Sequence, residues 1–172
     1  MANIVLTLIG PDRPGIVEAL AEPIAAHGGN WLESRMAHLG GQFAGILSLE
    51  VADGRVADLL ADLARLERKE LKIVAERTLP GPSAPERRLL VLDLVGLDRP
   101  GIVREISRAL LAFGVNIEEL ETDRTTAPMS GELLFRSHAK VLVPASTDPG
   151  ALRARLERLA SDLMVQVKLE PM

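Results

Sequence analysis

The chain has 172 residues, of which 47% are hydrophobic, 26% are charged and 2% are aromatic, and its formal net charge is −4. This composition is typical of a globular protein with a core and argues against a disordered chain. The few aromatic residues and the acidic balance argue against nucleic-acid binding. The absence of cysteine removes disulfides, thiolate nucleophiles and cysteine-type zinc sites.

At about 150 residues per domain, this length favours one domain or at most two. The N-terminal residues lack the basic segment and the long apolar segment of an export signal. No run approaches the roughly 18 consecutive apolar residues that cross a bilayer. These observations predict a cytoplasmic protein with no membrane partner.

The first half of the chain begins with a predicted strand and a predicted helix. The apolar run 3–9 predicts a buried strand, which ends at Gly10. Asp12 is predicted to cap the helix, with Pro14 in its first turn, and the helix is predicted to end at Gly28-Gly29. Its predicted buried face consists of Ile16, Val17, Leu20 and Ile24.

A hairpin, a second helix and a last strand complete the first half. Segments 30–39 and 43–51 flank Gly40-Gly41, which predicts two antiparallel strands joined by a tight turn. Segment 71–78 predicts the last strand, so that the order is βαββαβ. The second helix is predicted from apolar residues at helical spacing: Val56, Leu59, Leu60, Leu63 and Leu66.

The second half predicts the same order with a longer hairpin. Its predicted strands are 89–95, 115–123, 133–143 and 163–169. Its predicted helices are 100–113 and a segment whose apolar face carries Leu152, Leu156 and Leu159. Residues 79–85 contain three prolines and a glycine. We therefore predict domains at 1–78 and 88–172, joined by a proline-rich, extended linker at 79–87.

The two halves are copies of one sequence. GPDRPGIV at residues 10–17 recurs as GLDRPGIV at residues 96–103, an offset of 86 residues. Gly28, Asn30 and Glu33 recur at the same offset as Gly114, Asn116 and Glu119. A duplicated βαββαβ order predicts an α+β fold with two ferredoxin-like domains in tandem. Each would be a four-stranded antiparallel sheet with two helices on one face.

Both copies place the same residue types where the first strand meets the first helix. The N–H groups of a helix N-terminus attract a carboxylate, and glycine lets a ligand approach the backbone closely. Aspartate can pair with an ammonium group, and asparagine offers a donor and an acceptor. Together these groups have the chemistry to recognise a free amino acid. The candidate ligand-binding residues are Gly10, Asp12, Arg13, Gly15, Ile16 and Asn30, and in the second copy Gly96, Asp98, Arg99, Gly101, Ile102 and Asn116.

Each candidate also has a purely structural interpretation. Asp12 would then only cap the helix, Gly15 would only allow close packing, and Asn30 would only turn the chain. Arg13 and Arg99 are either solvated residues of the first helical turn or anion clamps. In a third interpretation, these arginines pair between domains with Glu33 or Glu119.

Catalysis and metal binding have no support in the sequence. The histidines lack metal-ligand spacing and cysteine partners, which predicts surface or half-buried side chains and no metal site. These histidines are His27, His38 and His138. No nucleophile motif and no phosphate-binding loop is present, so the sequence predicts neither an enzyme nor a cofactor.

Segments 10–17 and 96–103, each followed by an asparagine fifteen residues after its second glycine, resemble the ACT domain. Two such domains in tandem resemble the glycine cleavage system transcriptional repressor family. This resemblance implies domains that associate side by side or face to face, with an amino acid at their interface near the Asp12 and Asp98 loops. Members that bind serine carry asparagine at those two positions, and a second asparagine that matches Asn30 and Asn116. Aspartate changes this chemistry because a carboxylate cannot donate hydrogen bonds as an amide does.

The resemblance implies a non-catalytic regulatory sensor of the glycine cleavage operon. Glycine and serine are the first candidate ligands, and the expected partner is a transcriptional activator protein rather than nucleic acid. The Asp12 and Asp98 loops and the hairpin 125–131 are candidate moving parts, because a ligand must prefer one arrangement to shift the equilibrium. The alternative is a constitutive dimeric scaffold that uses exposed sheet edges and binds no ligand. A homodimer is expected in both cases.

Overall fold

The computed structural model describes residues 1–66, 70–78, 86–128 and 130–171. The chain divides into two compact units, Met1–Pro82 and Ser83–Met172, which we call the first and the second unit. Most of the predicted linker, residues 79–85, lies outside the described residues, as does one residue of the predicted 125–131 hairpin. Each unit is therefore described by itself.

The first unit is a four-stranded antiparallel sheet in the order β2-β3-β1-β4. Gly40 and Gly41 join β2 to β3 with positive φ values of 59° and 77°, as a tight hairpin turn requires. This turn fixes the register between the two strands. The predicted bounds of β2, residues 30 and 39, are confirmed. The elements are β1 (Ala2–Pro11), α1 (Ile16–Ala26), β2 (Asn30–Leu39), β3 (Gln42–Val51), a 3₁₀ turn (Asp53–Arg55), α2 (Val56–Leu66) and β4 (Lys72–Thr78).

The second unit repeats this architecture with the strand order β6-β7-β5-β8. The predicted α+β fold, two ferredoxin-like units with the order βαββαβ, is confirmed in both halves. The second hairpin is longer, as predicted, because β6 ends at Thr126 and β7 begins at Leu133. The elements are β5 (Arg87–Leu97), α3 (Ile102–Leu111), β6 (Asn116–Thr126), β7 (Leu133–Pro144), α4 (Pro149–Leu163) and β8 (Val165–Pro171).

Each unit has its own hydrophobic core between the sheet and the helices. Alternate residues of β1 are buried, and they pack on buried residues of α1 and α2. Ile16, Leu20 and Ile24 form the buried face of α1, as predicted. The prediction that Val17 belongs to this face is wrong, because Val17 is 47% exposed. At 100° per residue, Val17 lies at the margin of the apolar stripe.

Both predicted helix starts are too early, by three residues in the first unit and by two in the second. The helices begin at Ile16 and Ile102, so Pro14 and the predicted start at 100 precede them. The residues at the N-cap positions are Gly15 and Gly101, with φ values of 88° and 95°. Asp12 is not an N-cap, because these helix starts have no side-chain cap. Left-handed glycine backbone redirects the chain and delays each helix by a few residues.

The predicted helix ends are more accurate in the first unit than in the second. Gly28 and Gly29 end α1 with their N–H groups bonded to the carbonyls of Ala25 and Ile24, the pattern of a glycine C-terminal motif. Residue 113 lies beyond α3, although it was predicted to be helical. Leu163 is the last residue of α4 rather than the first of the last strand. Met164 separates them with φ 53°, a conformation that sequence periodicity does not reveal.

Candidate functional site

In each unit, a short loop leads from the first strand to the first helix. Gly10 and Gly96 are the second-last residues of β1 and β5, at positions where a side chain has no space. A Cβ at Gly10 would lie 2.7 Å from the backbone oxygen of Glu70, and one at Gly96 would lie 2.3 Å from Val165 Cγ1. These two predicted site residues therefore have a packing role against the strand at the sheet edge.

Gly15 and Gly101 are required for a different reason. A Cβ at either position would have no heavy atom within 4 Å, so space does not demand glycine there. Their positive φ values require glycine instead, because an L-residue with a Cβ is strained in that conformation. The next residues, Ile16 and Ile102, are 4% and 2% exposed and anchor the helices in the cores. Of the predicted site residues, these two side chains point inward rather than to solvent.

The loop aspartates, Asp12 and Asp98, pair with residues at equivalent positions of the second strand. The Asp98 Oδ2 atom lies 2.7 Å from Arg124 Nε, whereas the Asp12 Oδ2 atom lies 3.8 Å from His38 Nε2. The Asp12 carboxylate is 43% exposed and that of Asp98 is 21% exposed. Sequence reasoning did not assign His38 and Arg124 to the site. His38 and Arg124 are separated by the repeat offset of 86 residues, and this is the sequence signal that could have assigned them to the site.

Within one unit, the structure does not bring Asn30 to Asp12. Asn30 lies opposite Glu50, whereas the loop follows the Pro11–Gln42 pair at the other end of the sheet. Eight residues of strand at about 3.3 Å each separate the two ends by about 26 Å. The Asn30 Nδ2 atom instead donates to Glu50 Oε1 at 3.3 Å. The predicted contact of Asn30 and Asp12 with one ligand is therefore excluded within this unit.

The second unit repeats this separation. The side chain of Asn116 donates to Glu118, and Asn116 lies opposite Leu142, at the far end of the sheet from Asp98. The arginines that follow the two loop aspartates, Arg13 and Arg99, are exposed. Each unit thus contributes a loop with an aspartate, an exposed arginine and a helix start.

The three histidines are surface or half-buried residues, as predicted, and each faces an aspartate. His27 Nε2 lies 2.8 Å from Asp62 Oδ2, and His138 Nδ1 lies 2.6 Å from Asp93 Oδ1. The hydrogen bond from His27 lowers the pKa of the Asp62 carboxyl below its ordinary value, and the charge of Arg65 adds to this effect. His27 connects the end of α1 to α2, so this pair is structural.

An apolar groove lies between α3 and the adjoining strands of the second unit. It is lined by residues of α3, β5, β6 and β7, and its volume is about 20 Å³. The sequence did not predict it, because it depends on which side chains meet across the strands. Among the described residues, no group of three or more His, Cys, Asp or Glu could hold a metal ion. In the part of the chain that the structure describes, no helix is long and apolar enough to cross a membrane.

Comparison with known proteins identifies the fold family. The ACT domain profile matches residues 2–76 and 88–170, which together make up most of the chain. The chain belongs to the ACT domain family. The predicted tandem of ACT domains is therefore confirmed.

Two relatives that match nearly the whole chain are described as transcriptional repressors. The chain is 28% identical over 167 residues to the glycine cleavage system transcriptional repressor of Escherichia coli K12, and equally to that of Shigella flexneri. The alignment covers 95% of this chain and 86% of each relative. The predicted resemblance to this repressor family is confirmed.

Two solved structures share the tandem ACT architecture. The crystal structure of a protein from Galdieria sulphuraria, described only as an unknown protein, superposes with a TM-score of 0.86 and 29% identity, and the match covers 99% of this chain and 98% of the other. A crystal structure assigned to the glycine cleavage system transcriptional repressors superposes with a TM-score of 0.71 and 19% identity. That match covers 99% of this chain and 97% of the other. Both matches extend through both ACT domains.

Proposed function

We propose that this tandem ACT protein is a non-catalytic regulator that binds a free amino acid at its strand–helix loops and acts on glycine cleavage genes through a protein partner. The regulatory role rests on the family and on the two bacterial relatives described as repressors. The amino acid and the protein partner go beyond what those similarities establish. The proposed transcriptional role supports a cytoplasmic location.

The observation that carries the proposed binding is the state of the loop aspartates. If Asp12 or Asp98 capped its helix, its carboxylate would be occupied by the first backbone N–H groups. Neither does so, because both helix starts lack a side-chain cap. An uncapped helix start next to an accessible carboxylate presents donors for a ligand carboxylate and an acceptor for its ammonium group. This arrangement supports recognition of the zwitterion that all free amino acids share.

A calorimetric screen of the protein amino acids tests this proposal. We expect at least one to bind, with glycine and serine as first candidates, and Asp12→Ala with Asp98→Ala to weaken binding by about tenfold or more. Asp58→Ala is the matched control, because Asp58 is an exposed aspartate of α2 that faces Arg55. Failure of every amino acid to bind would refute the sensing part of the proposal.

Action through a protein partner is supported by charge. The formal net charge of −4 gives no overall attraction to a phosphate backbone. We expect no shift of glycine cleavage promoter DNA by the purified protein alone. We expect a complex with the transcriptional activator of those genes, measured by co-purification with and without the bound amino acid. Salt-sensitive binding of the protein alone to that DNA would contradict this part.

A dimeric scaffold remains the second candidate function, favoured by the outer sheet face of the first unit. Ile46 and Val74 lie on either side of Thr7 in register, and they are 47% and 59% exposed. Exposed apolar side chains on one sheet face are typical of protein interfaces. A stable dimer by light scattering, unchanged by every amino acid and unaffected by the loop variants, would favour this function over sensing.

A further inference from the structure

We propose that the chain forms a homodimer in which helix α1 of each copy packs against helix α3 of the other copy, with opposite charges facing each other. The contact joins the first unit of one copy to the second unit of its partner. This inference goes beyond the proposed function, because neither amino-acid sensing nor a scaffold through the outer sheet face assigns a role to the exposed faces of these helices.

The two helices occupy equivalent places in the repeat but carry opposite charges. Glu18 and Glu22 of α1 correspond, at the offset of 86 residues, to Arg104 and Arg108 of α3. All four side chains are exposed. The repeat keeps DRPGIV unchanged just before these positions, at residues 12–17 and 98–103, and inverts the charge at both exposed positions that follow.

These charges point away from the core of their own unit. At 100° per residue, Glu18 and Glu22 lie on the side of α1 opposite to its buried residues, and Arg104 and Arg108 lie likewise on α3. The Arg104 Nη2 atom lies 2.9 Å from Glu105 Oε1, and a guanidinium has further N–H donors to offer. Among the residues that the structure describes, the other three form no ion pair within the chain. A second copy can therefore pair with them.

Exposed apolar side chains adjoin both charged lines. Val17 and Val103 lie beside them at the start of each helix and are 47% and 43% exposed. Leu111 lies at the other end of α3 and is 74% exposed. The equivalent residue of α1 is Ala25, which is small and also exposed. Apolar contact between the helices would thus accompany the ion pairs, as at the centre of protein interfaces.

The charges select the contact of α1 with α3 over the contact of either helix with its own counterpart. Two α1 helices would bring four carboxylates together, and two α3 helices would bring four guanidinium groups together, which is unfavourable. A two-fold axis produces the α1–α3 contact twice, because each copy supplies both helices. Residues four apart are about 6 Å apart along a helix, so the charged pairs match in spacing whether the helices run parallel or antiparallel.

The decisive experiment mixes two charge-reversed variants. Glu18→Arg with Glu22→Arg makes all four positions of the chain basic, and Arg104→Glu with Arg108→Glu makes all four acidic. We expect the wild type to be a dimer in analytical ultracentrifugation and each variant alone to dimerise at least about tenfold more weakly. An equimolar mixture is expected to regain the dimer, because each contact then pairs an acidic helix with a basic one.

Recovery on mixing requires contact between different chains, so it tests the second copy as the partner. Two variants that lose the dimer and do not regain it when mixed would overturn the inference. So would variants that dimerise as well as the wild type.

Matched controls make the same changes of net charge at other exposed positions. Asp58→Arg with Glu157→Arg matches the first variant, and Arg55→Glu with Arg158→Glu matches the second. Each control is expected to change the dissociation constant of the dimer by less than about twofold. A loss in the controls equal to that in the reversed variants would overturn the inference, because net charge alone would then explain it.

A salt titration of the wild type keeps the test decisive if a variant fails to fold. The distance over which exposed charges interact falls from about 10 Å at 0.1 M salt to about 3 Å at 1 M. We expect the dissociation constant of the dimer to rise by about tenfold or more over this range. A dimer that salt leaves unchanged or tightens would overturn the inference.

These outcomes are separate from those that test the proposed function, because the experiment contains no amino acid and no partner protein. A salt-resistant dimer that both reversed variants retain would overturn this inference and leave a scaffold through the outer sheet face intact. A monomeric wild type would overturn both this inference and the scaffold, and amino-acid sensing would still depend only on the calorimetric screen.

Discussion

Substitution of Gly15 by alanine isolates the energetic role of the loop backbone. Gly15 has φ 88°, and a Cβ there would contact no heavy atom within 4 Å. Steric overlap therefore does not lower the stability of Gly15→Ala. Any loss of folding free energy comes from the backbone conformation at this position. Gly54 is the matched control, because a Cβ there also meets open space but its φ is not in the left-handed region.

The magnitude follows from these two geometries. An L-residue in the left-handed region costs about 1–2 kcal/mol, so Gly15→Ala is expected to reduce the free energy of unfolding by that amount. Gly54→Ala is expected to increase it by about 0.4–1 kcal/mol, because alanine restricts the unfolded chain at a compatible position. For a unit of this size, about 1 kcal/mol corresponds to a shift of about 4–8 °C in melting temperature.

Urea unfolding followed by tryptophan fluorescence measures these changes in unfolding free energy in the first unit, which carries both substitutions. The protein has one tryptophan, Trp31, and it packs against the core of the first unit, which also contains both glycines. A Gly15→Ala variant as stable as the wild type would refute the reasoning. So would an equal loss in Gly15→Ala and Gly54→Ala, because the conformation would then not be the cause.

Three further predictions concern other parts of the fold. Asp148 caps α4 by accepting from Gly150 N at 2.9 Å and Ala151 N at 3.3 Å, so Asp148→Ala should reduce the free energy of unfolding by about 1 kcal/mol, measured by urea unfolding followed by far-UV circular dichroism. Asp12→Ala should change it by less than about 0.5 kcal/mol in the same urea assay, and a loss near that of Asp148→Ala would restore the capping interpretation. Met164 has φ 53° and is 69% exposed, so Met164→Gly should raise stability by about 1 kcal/mol by far-UV circular dichroism, and a decrease would contradict the strain argument. The pKa of Asp62 is lowered by His27, so its contribution is present above about pH 4 and is lost as the pH falls through the lowered pKa. Asp62→Asn should therefore flatten the loss of melting temperature between about pH 5 and pH 3, and an unchanged pH profile would count against this pair.

The order of elements was predictable because apolar periodicity and glycine turns decide it. The Gly28-Gly29 and Gly40-Gly41 turns set the two bounds of β2, and the repeat carried the same order into the second half. The helix starts were not predictable in this way. Asp12 followed by Pro14 is a good capping sequence by local rules, and the left-handed backbone at Gly15 overrode it.

The sequence predicted which residue types form the candidate site but not where in the fold each of them lies. The sequence located the aspartates in the two loops, and these loops do bring Asp98 to Arg124. The predicted strand–helix–strand order already implies that Asn30, at the start of β2, lies at the other end of the sheet from the Asp12 loop, and grouping the candidates by residue type left this out. The groove was not predictable, because Ala139, which lines it, matches Leu47 of the first unit only once the longer hairpin of the second unit is taken into account.

The separate cores of the two units have a consequence for how such a protein can evolve. Among the described residues, the buried clusters of the first and second unit share no residue, so each half has a core built from its own side chains. After a gene duplication, one copy can therefore accumulate core substitutions, such as a smaller residue at position 139, while the other keeps its original packing. A tandem whose halves have separate cores lets selection change the core of one half while the core of the other keeps its packing.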